Sequence, residues 1–490
     1  MNILVFDVGS SSMRGVLFNE KGKNLCTKQY KYTADAISDV RVEMRPEVLQ
    51  SALYENAKGI AEYCRQNHKE VDLITITSQR SSIVPVDKDG NPLMNFIYWQ
   101  DKRNAEIVRR FSPMNQRIFS VTGTRINTVY SGSKMVWIHE NAPEIYKRAA
   151  HIVTIPEYLI HLLSGEYKTD STYASRSNLM DIRKCEWSME MLELFDLDRD
   201  KLSEIHQPGE TLGFTTREFA ERTGIPSGIP VCSSGGDQQC AAVGIGVYKQ
   251  GRVSIVLGTG AYLTTACDSV PENLDQSIIC NASSVAGSYI LEANVPSCGC
   301  AFDWFIRNFY DAVFDYGKLA EDIEDQYGRD SSLLVLPDFQ GRTTPDWNTA
   351  AHAQFCNLSL STTRAEMLAG LLDGIFLNVR ENIDHMRQLI PVETGYISGG
   401  MTNMPIINQM QADAYGIPLY RLKDTESTSL GALVVALASQ GVYPSFEEAF
   451  SNAAESSVDH RYDPDVTRSG KLSSKYLKMK EMYRRIYNIE

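Results

Sequence analysis

The chain has 490 residues, 43% apolar and 22% charged, and its 48 Lys+Arg against 61 Asp+Glu give a formal net charge of −13. This is an ordinary globular composition, which excludes disordered, collagen-like and miniprotein classes, and at roughly 150 residues per domain it predicts two or three domains with cores of their own. An acidic balance without a Lys/Arg-rich run argues against a nucleic-acid scaffold or an anionic membrane surface as partner and makes a small molecule the expected one.

Residues 3–18, ILVFDVGSSSMRGVLF, read as two short apolar strands joined by a Gly/Ser turn, a β-hairpin. LITITS (73–78) and HIVTI (151–155) are further strand candidates, and they alternate with helical stretches such as Glu47 to Arg65. Alternation of this kind predicts an α/β architecture. VSIVLGTGAYLTT (253–265) repeats the opening plan of strand, glycine-containing turn and strand, so two related halves facing a cleft are expected. The boundary falls near Val247 to Arg252, giving domains of 1–246 and 247–490. In the second half, Thr363-Arg-Ala-Glu366 has capping-box spacing ahead of Met367, Leu368, Leu371, Ile375, Val379 and Ile383 at helical intervals. Helices also run from Pro405 to Tyr415, stopped by Gly416-Ile-Pro418, and from Ser429 to Gln440, stopped by Gly441. Ser473 to Ile486 reads as a basic amphipathic helix with a solvated face.

The ten cysteines form no CxxC pair, and Cys298 and Cys300 read as small core residues flanking Gly299. Asp7 within the first apolar stretch argues against a secretory signal, and Leu430 to Ala438 is too short to span a bilayer, so a cytoplasmic protein with reduced thiols is expected. HExxH, GxSxG and GxxxxGK[ST] do not occur, and the eight histidines are scattered. Zinc hydrolysis, serine hydrolysis and P-loop chemistry therefore have no support.

The turn Asp7-Val-Gly9-Ser10-Ser11-Ser12-Met13-Arg14 suits a phosphate, because Gly9 permits close backbone approach, hydroxyls and N–H groups can bond phosphate oxygens, Arg14 can offset charge and Asp7 can hold Mg²⁺ through water. A plain hairpin with a polar turn explains the same residues. The turn Leu257-Gly258-Thr259-Gly260 offers similar equipment without a charge, and a pair of such hairpins is what a nucleotide held between two lobes would need. Ser233-Ser-Gly235-Gly236-Asp237-Gln238-Gln239 ends a strand before a small-residue helix. Taken alone, Asp237 there reads first as a helix N-cap, and second as a base for a substrate hydroxyl attacking a phosphoryl group. Gln79, Arg80, Ser81 and Trp99 supply the donors and the aromatic face that a polyhydroxylated ligand asks for, and Ser398-Gly399-Gly400-Met401 is a place where backbone can approach adenine or phosphate.

With these pieces in order, the chain resembles the FGGY carbohydrate kinases of the actin-like, hexokinase-like ATPase superfamily. DVGSSSMRG resembles their first phosphate motif, GGDQQ the motif with the catalytic aspartate, VLGTGAY the second phosphate motif, and ISGGMTN…QADAYGIPL with STSLGALVVA the adenosine region. The resemblance covers nearly the whole chain and implies two ribonuclease-H-like α/β domains flanking a nucleotide cleft, with ATP and Mg²⁺ as cofactors. It implies Asp237 as general base and Asp7 as the Mg²⁺ organiser. It assigns Ser10, Ser11, Ser12, Arg14, Gly258, Thr259 and Gly260 to the phosphates, and Gly299, Asp303, Gly399 and Gly400 to the adenosine side. Gln79, Arg80, Ser81, Trp99, Gln238 and Tyr262 are implied as the substrate set. The partners implied are a small sugar or polyol and a second copy of the chain in a homodimer, with no nucleic acid and no membrane.

YSGSKMVWI (130–138) and TDSTYASRSNLMDI (169–182) are similar to the glycerol kinase branch, yet Ser81 stands where that branch has a glutamate and Val129 where it has a tyrosine. Both changes remove polar contacts to a three-carbon polyol, which points to a roomier ligand such as a xylulose-like ketopentose or a longer polyol. ITSQRSSIV (76–84) and AAHAQFCNLSL (350–360) are similar to the autoinducer-2 kinase branch, whose substrate is linear and heavily hydroxylated. The reading from another class is a non-catalytic nucleotide-dependent binding or assembly protein of the actin-like superfamily.

Overall fold

Two sheets built on one plan organise the molecule. In the computed structural model, which describes residues 1–311, 315–423, 427–454 and 458–488, the first sheet contains β1 (Asn2–Val8), β2 (Ser12–Asn19), β3 (Asn24–Lys31), β4 (Leu73–Ser78), β5 (Thr211–Phe214) and β6 (Pro230–Gly236). Its order is β5-β6-β4-β1-β2-β3. The second contains β7 (Gly251–Leu257), β8 (Ala261–Cys267), β9 (Ile279–Ala282), β10 (Tyr289–Val295), β11 (Val392–Ser398), β12 (Leu419–Leu422) and β13 (Val458–Tyr462). Its order is β9-β10-β8-β7-β11-β12-β13. In each, a hairpin carries a further antiparallel strand on one side and parallel strands on the other: β1-β2 with β3, β4 and β6, and β7-β8 with β10, β11 and β12. The repetition expected from the two hairpin sequences is therefore a repetition of topology. β4 is buried along its whole length and β1 from Ile3 onward, as parallel neighbours covered on both faces should be. A smaller five-stranded sheet, with strands at 35–36, 42–44, 83–86, 96–97 and 151–154, carries the loops that hold Ser81 and Trp99.

The helices follow apolar spacing and their caps. α1 (Pro46–Gln66) has Pro46 in its first turn and buries Leu49, Ala52, Leu53 and Ile60. α2 (Asp237–Gly244) follows β6, and α3 (Gly299–Phe309) follows β10. In α4 (Arg364–Arg387), Thr363 accepts the Glu366 N–H as expected, but the Glu366 carboxylate takes the Ser331 hydroxyl at 2.6 Å, so the reciprocal half of the capping box is replaced by a tertiary contact. α5 (Pro405–Tyr415) has the predicted bounds. α6 (Ser427–Ser439) starts two residues before the prediction. α7 (Val466–Tyr487) starts well before Ser473 because the Asp465 carboxylate caps it at the Arg468 N–H. None of the described helices is long and apolar enough to cross a membrane.

The two halves meet where α2 and α6 cross with their backbones in contact. A Cβ on Gly431 would fall 1.7 Å from the Cys240 carbonyl oxygen, and one on Gly244 2.0 Å from that of Ser427. Around this crossing, Ile3, Val5, Val16 and Phe18 of the first sheet pack with Leu433, Val434, Leu437 and Phe450 in one buried cluster. At roughly 1.5–3 kcal/mol for each large apolar side chain fully buried, this seam is a core and not a loose contact.

Candidate active site

Parallel strands deliver their functional residues at their carboxyl ends, where α/β sheets bind ligands. Asp7 at the end of β1 is level with Thr77 of β4, and Gly236 at the end of β6 is level with Ser78, so Asp7, the segment after Ser78 and Asp237 converge on one edge. β6 is irregular between Ser233 and Gly235. Gly235 has φ +101°, and a Cβ there would lie 2.5 Å from the Ser284 hydroxyl. The capping role open to Asp237 on sequence is not the one it takes: Gly236 is the N-cap and Asp237 the first helical residue. Its Oδ1 accepts the Gln238 N–H at 2.8 Å, and its side chain remains 27% exposed.

In the first turn, the Gly9 N–H donates to the Ser12 carbonyl at 2.9 Å. Asp7 and Arg14 are cross-strand partners. The Arg14 guanidinium donates to Asp7 Oδ2 at 2.5 Å and the Ser429 hydroxyl of α6 to the same oxygen at 3.0 Å. Arg14 thus neutralises Asp7 directly, a role that sequence reading had given it toward phosphate. Ser10 accepts from the Trp99 indole at 3.1 Å and its carbonyl from the Tyr98 hydroxyl at 2.9 Å; Ser12 accepts from Gln29 at 3.0 Å, and Ser11 is exposed. Both hydrogen bonds to Asp7 land on Oδ2, so Oδ1 carries neither of them. One carboxylate oxygen beside a turn of hydroxyls and backbone N–H groups fits Mg²⁺, which keeps several waters and is bound largely through substrate phosphates.

The second turn is held by backbone alone. The Gly258 N–H donates to the Gly260 carbonyl at 2.9 Å, the Gly299 N–H to Gly258 at 2.9 Å, and the Cys298 and Cys300 N–H groups to Thr259 at 3.1 Å. The start of α3 is thereby fastened to the turn. Glycine is required at the contacts: a Cβ on Gly299 would sit 2.4 Å from the Gly258 oxygen, on Gly260 2.6 Å from that of Val295, and on Gly399, at φ +100°, 2.4 Å from that of Leu257. Gly400 instead faces open space. Cys298 is fully buried with its Sγ 3.6 Å from Met401 Sδ, which ties the start of α3 to the 3-10 turn at Gly400–Asn403. Asp303, Gln238 and the side chain of Tyr262 are exposed.

The expected substrate residues divide. Gln79 is buried, and both ends of its amide are engaged by the Ser82 hydroxyl, at 2.9 and 3.0 Å. Ser82 in turn accepts the Trp99 N–H, so Gln79 braces Trp99 from behind. Ser81 is buried at φ +73° with its hydroxyl 3.3 Å from the Arg176 carbonyl. Arg80 is the centre of the site. Its Nε lies 3.7 Å from Asp237 Oδ1, and its Nη1 donates to Gln239 at 3.2 Å and to Glu292 Oε1 at 3.0 Å.

Sequence reading missed Glu292, Arg176, Gln239 and Ser429. Glu292 Oε2 accepts from Arg176 at 3.0 Å, and the Arg176 guanidinium lies 4.6 Å from the centre of the Tyr130 ring. Glu292 did carry a signal, a lone charge inside the apolar strand YILEANV. Burial pushes the Asp237 carboxyl above its ordinary value, with Arg80 opposing. At Glu292 burial pushes the same way, but Arg80 and Arg176 together outweigh it and hold the carboxyl below its ordinary value. Desolvation also drops the ammonium of the buried Lys134 to about 7 despite Asp101, while it donates to the Val129 carbonyl.

The sequence and the fold that carry these two turns have counterparts among known proteins. The chain is 28% identical over 441 residues, 89% of its length and 87% of the relative's, to a glycerol kinase of Thermococcus kodakarensis. It is 24% identical over 494 residues, 99% of its length and 96% of the relative's, to a xylulose kinase of Lactococcus lactis. The crystal structure of Plasmodium falciparum glycerol kinase with ADP superimposes with a TM-score of 0.88 at 25% identity, covering 98% of each chain. The models of the FGGY family of carbohydrate kinases match residues 2–244 with their N-terminal domain and 253–439 with their C-terminal domain. The chain therefore belongs to the FGGY family of carbohydrate kinases, phosphotransferases with ATP as donor and an alcohol group as acceptor.

Proposed function

We propose that the chain transfers the γ-phosphoryl group of ATP to a hydroxyl of a ketopentose or polyol, with Asp237 as general base. The observation that carries this is the Asp237 carboxylate, partly open at the first residue of α2 and beside Arg80, on the strand edge that also bears Asp7. The acceptor hydroxyl gives its proton to Asp237 as its oxygen bonds to the γ-phosphorus, the bond to the bridging oxygen breaks, and ADP leaves. Arg80 and Trp99 bind and orient the acceptor, with Tyr262 and Gln238 at its exposed side. Ser10, Ser11 and Ser12 with the Gly258–Gly260 turn receive the phosphates, and Gly299, Asp303, Gly399 and Gly400 the adenosine. Asp7 would hold Mg²⁺, which would supply charge neutralisation at the phosphates.

Small Ser81, turned toward the Arg176 carbonyl, and half-buried Val129 favour a ketopentose or longer polyol over glycerol. We also place the domain boundary at residues 246 and 247, between α2 and β7, and the enzyme in the cytoplasm, where ten unpaired cysteines suit a reducing medium.

The test is ADP formation with Mg·ATP across ketopentoses, polyols including glycerol and erythritol, gluconate and a linear autoinducer-2 precursor, in the parent and in Asp237→Asn. One neutral acceptor should raise ADP formation far above the water-only rate. Asp237→Asn should lower that turnover about 10²- to 10⁴-fold while nucleotide still binds. Because burial raises the Asp237 carboxyl from 3.8, activity should be lost with falling pH above that value, as the base takes up a proton. Near-parent turnover in Asp237→Asn overturns the assignment.

A further inference from the structure

We propose that Glu292 is a specificity-determining residue: its carboxylate, clasping Arg80 and Arg176 across the domain seam, makes the acceptor cleft electroneutral and so selects an uncharged polyhydroxylated substrate over its carboxylate analogues. The inference rests on the kinase reading and deepens it. Glu292 lies on β10 in the C-terminal family domain, whereas Arg80 follows β4 and Arg176 follows the short helix Ser171–Ala174, both in the N-terminal one. One oxygen serves each arginine at 3.0 Å. The side-chain exposures are 12%, 11% and 15% for Arg80, Arg176 and Glu292, so the three charges are largely withdrawn from water and screened little.

The charges close. Two guanidinium groups face the carboxylates of Glu292 and Asp237, with Gln239, the Tyr130 ring and the Ser81 hydroxyl as neutral neighbours. Arg176 is also under-used, since its Nε is buried without a hydrogen-bond partner among the described residues. An arginine pair with a spare donor is what a carboxylate ligand seeks, because the planar fork matches two oxygens. Glu292 already fills that demand. An aldonate would have to displace it or lie beside it as a like charge, whereas a ketose or polyol asks only for hydrogen bonds. Because Glu292 comes from the opposite domain, the contact that balances the charge also ties Arg80 to that domain.

The experiment compares kcat/KM for neutral acceptors and for the matching aldonates in the parent, Glu292→Gln and Arg176→Gln, by coupled ADP formation with saturating Mg·ATP. In the parent, the neutral compounds are used and aldonates are poor. Glu292→Gln keeps the shape and unmasks both cations, so the aldonate-to-neutral ratio should rise about tenfold or more, with the KM for ATP little changed. Arg176→Gln removes a cation and should move the ratio the other way. Opposite movement by two variants that each break the same contact is not something a merely structural role produces. A ratio unmoved in both, or a parent that prefers aldonates, overturns the inference while leaving the kinase reading standing. A parent silent on every compound overturns the kinase reading and this inference with it.

Discussion

The two hairpins have the same topology and opposite chemistry. β1-β2 places a carboxylate and a guanidinium directly across from one another and receives a hydroxyl from α6, 422 positions along the chain. β7-β8 has no charge at its turn, and carbonyl–amide contacts fasten it to α3. The difference teaches that duplicating a fold need not duplicate a site: the first turn is built to manage charge, the second to hold a shape. In the first, substitutions should act on kcat; in the second, on nucleotide affinity and stability.

The largest effect is expected from Asp7→Asn, which preserves size and removes the charge that pairs with Arg14 and that is proposed to hold Mg²⁺. Steady-state kinetics should show kcat lower by about 10²- to 10³-fold with thermal stability near the parent's. A drop confined to the KM for ATP would erase the contrast between the turns. Next in size is Gly299→Ala. Its Cβ would lie 2.4 Å from the Gly258 oxygen, which is backbone and cannot swing aside, so the turn and α3 must separate. Unfolding by denaturant should show a loss of about 1–3 kcal/mol, and the KM for ATP should rise. Smaller again, Thr259→Ala removes one exposed hydroxyl and leaves every backbone contact of the turn in place. The KM for ATP should rise roughly two- to tenfold, one hydrogen bond's worth, with kcat unchanged.

What was legible in the sequence was what is local. Both hairpins and α5 show in the text because a strand–turn–strand or a Pro-start, Gly-stop helix is decided within a dozen neighbouring residues. The start of α7 was missed because Gly470 and paired serines weaken the helical pattern there, while the Asp465 cap and packing carry it through. The motif residues Asp7, Asp237 and Gly258–Gly260 were singled out first by their turn chemistry and then by resemblance; their contacts were not legible. Glu292 meets Arg80 across 212 positions and Arg176 across 116, and no window on the sequence sees such a pair. Gln79 shows the converse difference, since a polar residue beside Arg80 reads as a ligand contact, whereas its amide hydrogen-bonds Ser82.

The smallest prediction probes how far the first turn depends on the second domain. Ser429→Ala deletes the hydroxyl that reaches Asp7 Oδ2 at 3.0 Å, at a fully buried position where alanine fits the helix. Arg14 keeps Asp7 paired, so the carboxylate is not stranded, and the stability loss should be about 1 kcal/mol. Turnover should fall only a few-fold, because Asp7 keeps its charge but loses one of two bonds that orient it. Ser429→Thr, which retains the hydroxyl, should recover turnover if its extra methyl is accommodated. If Ser429→Ala instead matched Asp7→Asn in kcat, the position of the Asp7 carboxylate would be set from the second domain, and the charge-managing turn would belong to the seam as much as to its own hairpin.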